Sequence, residues 1–547
     1  MPEYLAPGVY VEEIEIGAKP IEGVSTSTAG FLGETERGPV AAKLVTNFEE
    51  FRRVYGGYLS NSFLPYAMEG FFSNGGKRCF IARIVGTGSK YASLEVVGKP
   101  GASPAAPAAP APAEPAEKAK GGGAEPAKKG GAKNGTAVFM LKTVGPGDWG
   151  NRAAVKIEDA SLSGMNPDLF KMTVVYWKDE PPVPIVDPTD PTKEKDPNRR
   201  EPVVVEIYDN LSPDPSSSDN YEKRINDISV LVEITRLGDG RPVNTGFKFL
   251  LDGKDGAAVT LQDYKGRSGP EPGNETGLLA FNEVDDISIV CAPNETDIQG
   301  LTGALVEHSE LMKDRFTIIQ APQGAGPIGK LMPPTDSKYA AFYYPWIKVM
   351  DPLTQKPKLV PPGGHIAGVY ARSDIERGVH KAPANEVLKG VTGLQFALSK
   401  AKQDILNPRG VNCVRVFTGR GIRVWGARTI SSDPLWKYVN VRRLFLFLEE
   451  SIEKGTQWVV FEPNNEKLWA RVKQTITQFL TGVWKTGALM GTTPAEAFFV
   501  KCDRTTMTQD DIDNGRLICV IGVAPTKPAE FVIFRIAQWQ GGSAATE

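Results

Sequence analysis

FEPNNEKLWARVKQTITQFLTGVWKTGALMGTTPAEAFFVKCDRTTMTQDDIDNGRLICVIGVAPTKPAEFVIFRIAQWQ, residues 461–540, is the stretch around which the rest of the chain is organised. Asn464 and Asn465 suit an N-cap, because their side-chain oxygens accept from the orphan N–H groups of a first helical turn. Glu466 then sits beside the positive end of the helix dipole. A helix over 466–485 would be roughly 30 Å long. At 100° per residue, Trp469, Val472, Ile476, Phe479, Leu480 and Val483 share one face, and Lys467, Arg471, Gln474, Gln478 and Lys485 share the opposite one, with Lys473 at the flank. A polar turn (503–515), a strand (517–523), a Pro-marked break and a last strand (530–538) follow. A basic helix followed by strands suits a part of an assembly better than a pocket.

The chain has 547 residues, too many for one core, so two to four domains are expected. Its formal net charge of −2 exerts no global pull toward nucleic acid or an anionic membrane. Cys79, Cys291, Cys413, Cys502 and Cys519 are odd in number, scattered and without a C-x-x-C pair. That speaks against a disulfide framework or zinc site and for assembly in a reducing compartment. The opening MPEYLAPGVY has no basic and apolar leader pattern, and no apolar run reaches membrane-spanning length, so no secretory signal and no membrane insertion are expected.

Along the chain, VYVEEIEI (9–16) reads as a short strand. By its residues alone it is an ordinary first strand of a domain. Residues 24–85 read as a compact α/β segment: a strand near 28–33, a helix over 48–56 capped by Asn47, a second helix over 64–72 and a strand over 78–85. Residues 100–135 are almost all Ala, Pro, Gly, Lys and Glu, and cannot bury enough apolar area to offset chain entropy. They read as a disordered exposed linker. Strands are expected at either side of the turn GPGDWG, at 170–177 and at 203–208, with a helix over 221–232 and a loop over 251–266. From 284 the pattern is strand 287–292, helix 297–312, strand 316–320, the spacing of a parallel βαβ unit. A helix over 438–454 and a strand over 458–461 lead back to the opening stretch.

Three chemistries suggest themselves and each lacks a part. GAGPIGK (324–330) has the letters of a phosphate loop, but Leu331 stands where a Ser or Thr would hold magnesium, and Pro333 and Pro334 block the required helix. Ser373, Asp374 and His380 can be drawn as a triad, but there is no G-x-S-x-G elbow, and GTTPAEA (491–497) has threonine where a serine nucleophile would stand. The three histidines, His308, His365 and His380, lie apart, and no carboxylates have metal-ligand spacing. The Asp-rich segment 509–515 reads as a solvated loop. No catalytic residue, cofactor or metal site is expected. The basic stripe of the 466–485 helix reads as a solvated face, and four cations without an aromatic platform make a weak nucleic-acid surface.

FEPN (461–464), GALMGTTPAEAF (487–498), VKCD (500–503) and APTKPAEFVIFRI (524–536) resemble the C-terminal domain of the contractile-tail sheath family, found in phage tails and in phage-like extracellular injection systems. The resemblance continues in SKYAAFYYPWIKVMDP (337–352), PPGGHIAGVYARSDIERGVHKAPAN (361–385), VWGARTISSDPLWKYVNVRR (424–443) and YLAPGVYVEEI (4–14). It is weakest over 86–275. It implies an α/β (α+β overall) chain in four parts. These are an N-terminal tether arm (1–23), a discontinuous subtilisin-like α/β core (24–85 and 276–435), an inserted mainly β outer domain (86–275, with the linker 100–135), and a C-terminal sheath domain (436–547). The last carries the tube-facing helix 466–485 and a terminal strand arm (530–540).

The resemblance also implies roles. Lys467, Arg471, Lys473, Gln474, Gln478 and Lys485 would meet an inner tube protein. Val9, Tyr10, Val11, Ile14 and Ile16 at one end, and Phe531, Ile533 and Arg535 at the other, would exchange strands with neighbouring subunits. The implied partners are the chain itself as a helical homopolymer, the tube, baseplate and cap proteins, and sibling sheath subunits where a particle has them. The implied activity is structural: polymerisation in a metastable extended state, assembled in a cytoplasm, followed by contraction. A surface- or glycan-binding protein acting through the inserted domain, and a subtilisin-like hydrolase, are the competing readings.

Overall fold

Runs of β-branched and aromatic residues, buried on both faces, build the largest sheet. A computed structural model of the chain describes residues 20–98, 136–181, 183–269, 273–325 and 328–535. Among them a sheet of nine strands runs through its centre in parallel, in the spatial order Cys79–Arg83, Ala29–Gly33, Ile289–Cys291, Phe316–Gln320, Ala340–Tyr344, Val411–Phe417. Antiparallel strands close its two sides: Lys43–Val45 at one, Gly421–Trp425 and Glu386–Val387 at the other. Alternation along each strand divides the core in two. Phe31, Ile81, Ile318 and Tyr343 face helices Leu64–Ser73 and Gly363–Arg377. Leu32, Ala82 and Val290 face helix Leu301–Met312, and Ile319 and Phe342 face Leu406 of helix Lys400–Leu406. The molecule is a mixed α/β protein with several sheets.

The PPGGHIAG motif has a packing reason. Helices Leu64–Ser73 and Gly363–Arg377 cross so closely that a Cβ on Gly364 would stand 2.5 Å from the Cα of Ala67, and one on Gly368 would stand 2.4 Å from the carbonyl oxygen of Phe71. Backbone atoms cannot give way there as a flexible side chain can.

Residues 93–249 contribute two antiparallel sheets of their own. One orders Ser93–Val97, Ala137–Thr143 and Val232–Arg236; the other orders Thr245–Phe249, Ala153–Asp159, Phe170–Tyr176 and Val204–Leu211. Trp149 of the GPGDWG turn is wholly buried and donates its indole N–H to the Pro146 carbonyl at 3.2 Å. The linker read as disordered (100–135) lies outside the described residues. Its flanking residues Val97 and Ala137 are paired across neighbouring strands.

The C-terminal unit consists of helices Val439–Gly455 and Glu466–Lys485 and a hairpin of strands Phe498–Lys501 and Val520–Val523. Leu444, Leu448, Trp469, Ile476, Leu480, Phe498 and Val500 share its core.

Several local expectations need correction. The helix expected over 221–232 stops at Ile225, because the Asn226 side chain pairs with both the N–H and the C=O of Ile234 and turns the chain into strand Val232–Arg236. The loop expected over 251–266 ends in a helical turn, Leu261–Lys265, closed by a Thr260–Asp263 capping box. Residues 458–461 form no strand: Gln457–Val459 is a 3₁₀ turn, and Phe461 has a left-handed backbone with a fully exposed ring. The Asp-rich segment is a short helix, Gln509–Asp513, held by a Thr508–Asp511 capping box. Residues 530–535 form no strand, and among the described residues no strand pairs with them; 536–540 lie outside the described residues.

Replacing Gly368 by Ala should force the helix pair apart at a cost of about 1–3 kcal/mol. Calorimetry should find the lowest-melting transition of the chain shifted down by several degrees. An unchanged transition would mean that the close crossing carries no stability.

Candidate assembly interface

The side-chain oxygen of Asn465 accepts from the backbone N–H groups of Lys467 (3.0 Å) and Leu468 (3.1 Å), so the helix begins at Glu466. Asn464 is used differently, accepting from the Trp469 indole N–H at 2.7 Å. Leu468, Trp469, Val472, Thr475, Ile476, Leu480 and Val483 are buried against the hairpin and the preceding helix, and Phe479 is half-buried. Lys467, Arg471, Gln474, Gln478 and Lys485 are all exposed.

The polar stripe is not uniform. The Arg471 guanidinium lies 4.4 Å over the Trp458 ring, which holds that cation in place while leaving it solvated. Gln478 lines a cleft of ≈ 730 Å³, together with Pro20, His380 and Phe447. Lys473 is exposed but belongs to another side of the helix, where its charge acts on Asp503, Cys502 and Cys519. The structure therefore groups Lys467, Arg471, Gln474 and Lys485, keeps Gln478 at their border and sets Lys473 apart.

The strand-exchange residues fall in two classes. Val9, Tyr10, Val11, Ile14 and Ile16 lie outside the described residues. Phe531, Ile533 and Arg535 are described and exposed, and Phe531, Val532, Ile533 and Phe534 form an apolar run between 67% and 84% exposed. Leaving such a run in water is costly at roughly 25 cal/mol per Å² of apolar area.

One residue before that run, a clamp holds the chain. Glu530 accepts from Arg428 Nε and Nη2, both at 2.7 Å, from Asn407 Nδ2 at 2.8 Å and from the Tyr438 hydroxyl at 3.1 Å. Burial alone would raise the Glu530 carboxyl. Hydrogen bonds from Arg428 and Asn407, with the Arg428 charge, outweigh it and hold the group below the ordinary glutamate range. The clamp returns the tail from the C-terminal hairpin to the central body before it leaves into solvent. Sequence reading missed it. The available signal was a lone carboxylate directly ahead of FVIF, but nothing in the sequence points to Arg428 and Asn407 as its partners.

The hairpin offers open edges. Among the described residues, no third strand joins Phe498–Lys501 or Val520–Val523, and one isolated bridge, Leu489 with Pro525, flanks its end. Phe499 and Val520 are about half exposed on it.

Of the residues drawn as a triad, Asp374 is committed elsewhere. Both oxygens of Asp374 accept from Arg443, at 2.9 and 2.7 Å, and one also accepts from the Thr26 hydroxyl at 2.7 Å. Ser373 is buried and has no hydrogen-bond partner among the described residues, and burial pushes His365 down to about 4. Ile328–Lys330 is a single 3₁₀ turn, and no α-helix follows it before strand Ala340–Tyr344. Among the described residues there is no group of three or more potential metal ligands, and no helix is long and apolar enough to cross a membrane.

Among the described residues the chain thus combines a mixed α/β body, a hairpin that no third strand joins and an exposed apolar run near its end. The fold matches the PVC sheath complex of an extracellular contractile injection system in its contracted state (20% identity, TM-score 0.55, covering 99% of both chains). It also matches the sheath tail protein of Listeria innocua (11% identity, TM-score 0.56, covering 92% of this chain and 96% of that one). Residues 257–430 match the phage tail sheath protein central domain and 431–538 the phage tail sheath C-terminal domain, consecutive matches over more than half of the chain. The chain belongs to the phage tail sheath family. The tail sheath protein of Burkholderia phage BcepMu is 28% identical over 282 residues, which is 47% of this chain and 59% of that protein. The chain thus spans about three fifths of that relative's length.

The Glu530 clamp makes two predictions. Glu530→Ala should cost about 2–4 kcal/mol of local stability, because it leaves Arg428 without its carboxylate. Limited proteolysis should then show faster cleavage around Phe531 with the body intact; an unchanged rate would refute the clamp. A lowered carboxyl contributes stability that is present above its unfolded pKa and lost as pH falls through its folded one. Tail cleavage by an acid-active protease should therefore rise with acidification below about pH 4 in the native chain, and not in Glu530→Gln.

Proposed function

We propose that the chain is the structural sheath subunit of a contractile injection machine, a helical homopolymer around an inner tube that shortens to drive the tube forward. The observation that carries this reading is an exposed apolar donor run, Phe531–Phe534, on the same chain as an open two-stranded acceptor. Unlike patches that complement each other make heterologous contacts, and these propagate into rings or open helices rather than closed dimers. Backbone pairing at a free sheet edge supplies the tether, and alternate side chains supply the register. In this reading Phe531, Ile533 and Arg535 join a neighbour's hairpin, as do Val9, Tyr10, Val11, Ile14 and Ile16 from the other end.

The four-part division fits the same reading: arm 1–23, core 24–85 with 276–435, inserted outer domain 86–275, C-terminal domain 436–547. Baseplate and cap proteins bound the polymer at its ends. Assembly in a cytoplasm and release within a phage tail or tail-like particle complete the proposal. Energy for contraction is stored in the lattice, as a difference between two packings of the same subunits, and a trigger releases it.

Lys467, Arg471, Gln474 and Lys485 meet an acidic surface of the tube. Such rim contacts are worth only about 0–1 kcal/mol each, so they set register when repeated many times and still part together. Negative-stain microscopy of the chain expressed alone should show hollow ringed tubes, and deleting residues 531–547 should leave folded monomers. Long tubes from the truncated chain would exclude the tail as tether. Charge reversal at both Lys467 and Arg471 should abolish co-assembly with the tube protein at moderate salt without preventing self-assembly; unchanged co-assembly would remove this helix from the tube interface.

A further inference from the structure

Two cysteines come together at the loop end of the C-terminal hairpin. The antiparallel register pairs Val500 with Ile521 and Lys501 with Val520, so the next residues outward, Cys502 and Cys519, stand opposite each other. Opposed residues of an antiparallel ladder have Cα atoms about 4.5–5.5 Å apart, inside the range of about 4.4–6.8 Å that a disulfide spans. Both side chains enter the same apolar core, and the two thiols interact directly. Cys502 is buried and Cys519 half-exposed, so one sulfur can be reached from solvent while its neighbour waits behind it.

We propose that Cys502 and Cys519 form an oxidisable dithiol, a modification site that staples the loop 503–518 when the protein meets a low-molecular-weight disulfide. The loop it closes is tied to the start of helix Glu466–Lys485. Arg504 is paired with Glu466 at 3.1 Å, and Asn464 donates to the Arg516 carbonyl at 3.2 Å. Oxidation thus fixes the hairpin end and the first turn of the basic helix as one body, without new contacts.

The reaction balances as two exchanges. Cys519, deprotonated, attacks one sulfur of the small disulfide. A mixed disulfide forms and the first small thiolate leaves, taking up the proton that Cys519 lost. Cys502, deprotonated in turn, attacks the sulfur of Cys519 and expels the second small thiolate, which takes up its proton. Two protein thiols are oxidised to one disulfide, and one small disulfide is reduced to two thiols.

Timing follows from the surroundings. Burial pushes both thiols up, Cys519 to about 12, with the neighbouring Cys502 adding to the effect. For Cys502, a hydrogen bond with Cys519 opposes the rise and Asp503 adds to it, whereas the Lys473 charge opposes it at both thiols. Only thiolates attack, so the dithiol closes slowly at neutral pH. Below its pKa the rate should rise about tenfold per pH unit. Lys473→Ala, removing the facing cation, should slow closure.

The test uses the full chain and oxidised glutathione in mildly alkaline buffer, followed by denaturation, alkylation and mass measurement. The reduced protein should take up five alkyl groups, one per cysteine, and the oxidised protein three, with a peptide linking Cys502 to Cys519. Tryptic cuts at Arg504 or Arg516 should leave the oxidised chain joined and split the reduced one. The link should be absent in Cys502→Ser and in Cys519→Ser, the latter a half-exposed position that keeps the control available if the buried substitution misfolds. Five alkyl groups after prolonged exposure, a link through another cysteine, or glutathione that stays on Cys519 would each overturn the proposal.

Discussion

Asp374 and Arg443 are each about 3% exposed, and their two-pronged ion pair joins the helix Gly363–Arg377 of the central body to the helix Val439–Gly455 of the C-terminal unit. The same guanidinium donates to the Thr26 carbonyl, and the Tyr370 ring lies 4.9 Å beneath it. Three parts of the chain, two of them 69 residues apart and the third hundreds of residues from both, are thereby placed at one point. Two charges out of water are expensive, and their attraction offsets that cost only when the geometry is good and the remaining lone pairs are satisfied. Here Thr26 satisfies one of them. Removing either partner would strand a buried charge, at about 3–5 kcal/mol. The pair is thus less a source of net stability than a condition on how the units sit: other arrangements leave an ion unpaired.

The entry segment follows from that placement. Residues 20–26 run along helix Val439–Gly455: Val24 donates to the Ser451 hydroxyl, Ile21 packs on Gly455, and Gly23 lies against Phe447. At the other end Glu530 fastens the tail to Arg428 and Asn407 of the central body. Both ends of the described chain are anchored to the body by polar contacts.

Helix Glu466–Lys485 could be read from its residues because a helix is a local structure. Its caps, its 3.6-residue apolar period and its polar stripe are all written within twenty residues. The parallel βαβ unit ending at Phe316–Gln320 was legible for the same reason. The readings that failed depended on partners. Residues 530–535 have the composition of a strand, but a strand exists only where another chain segment bonds it. Trp458 looked like strand material and instead serves as the floor for Arg471. Lys473 was placed at the flank of the stripe, and its actual neighbours, Asp503 and the thiol pair, come from the loop across the hairpin.

Length, charge and periodicity, read from the sequence alone, were enough for a mixed α/β chain with an amphipathic basic helix near its end. The quoted motifs were enough for a resemblance to the sheath family. Tertiary structure alone decided the Asp374–Arg443 junction, the Glu530 clamp and the meeting of Cys502 with Cys519. Each joins residues whose pairing no local period encodes, because side chains far apart in sequence acquire neighbours only once the backbone has folded and excluded water between them.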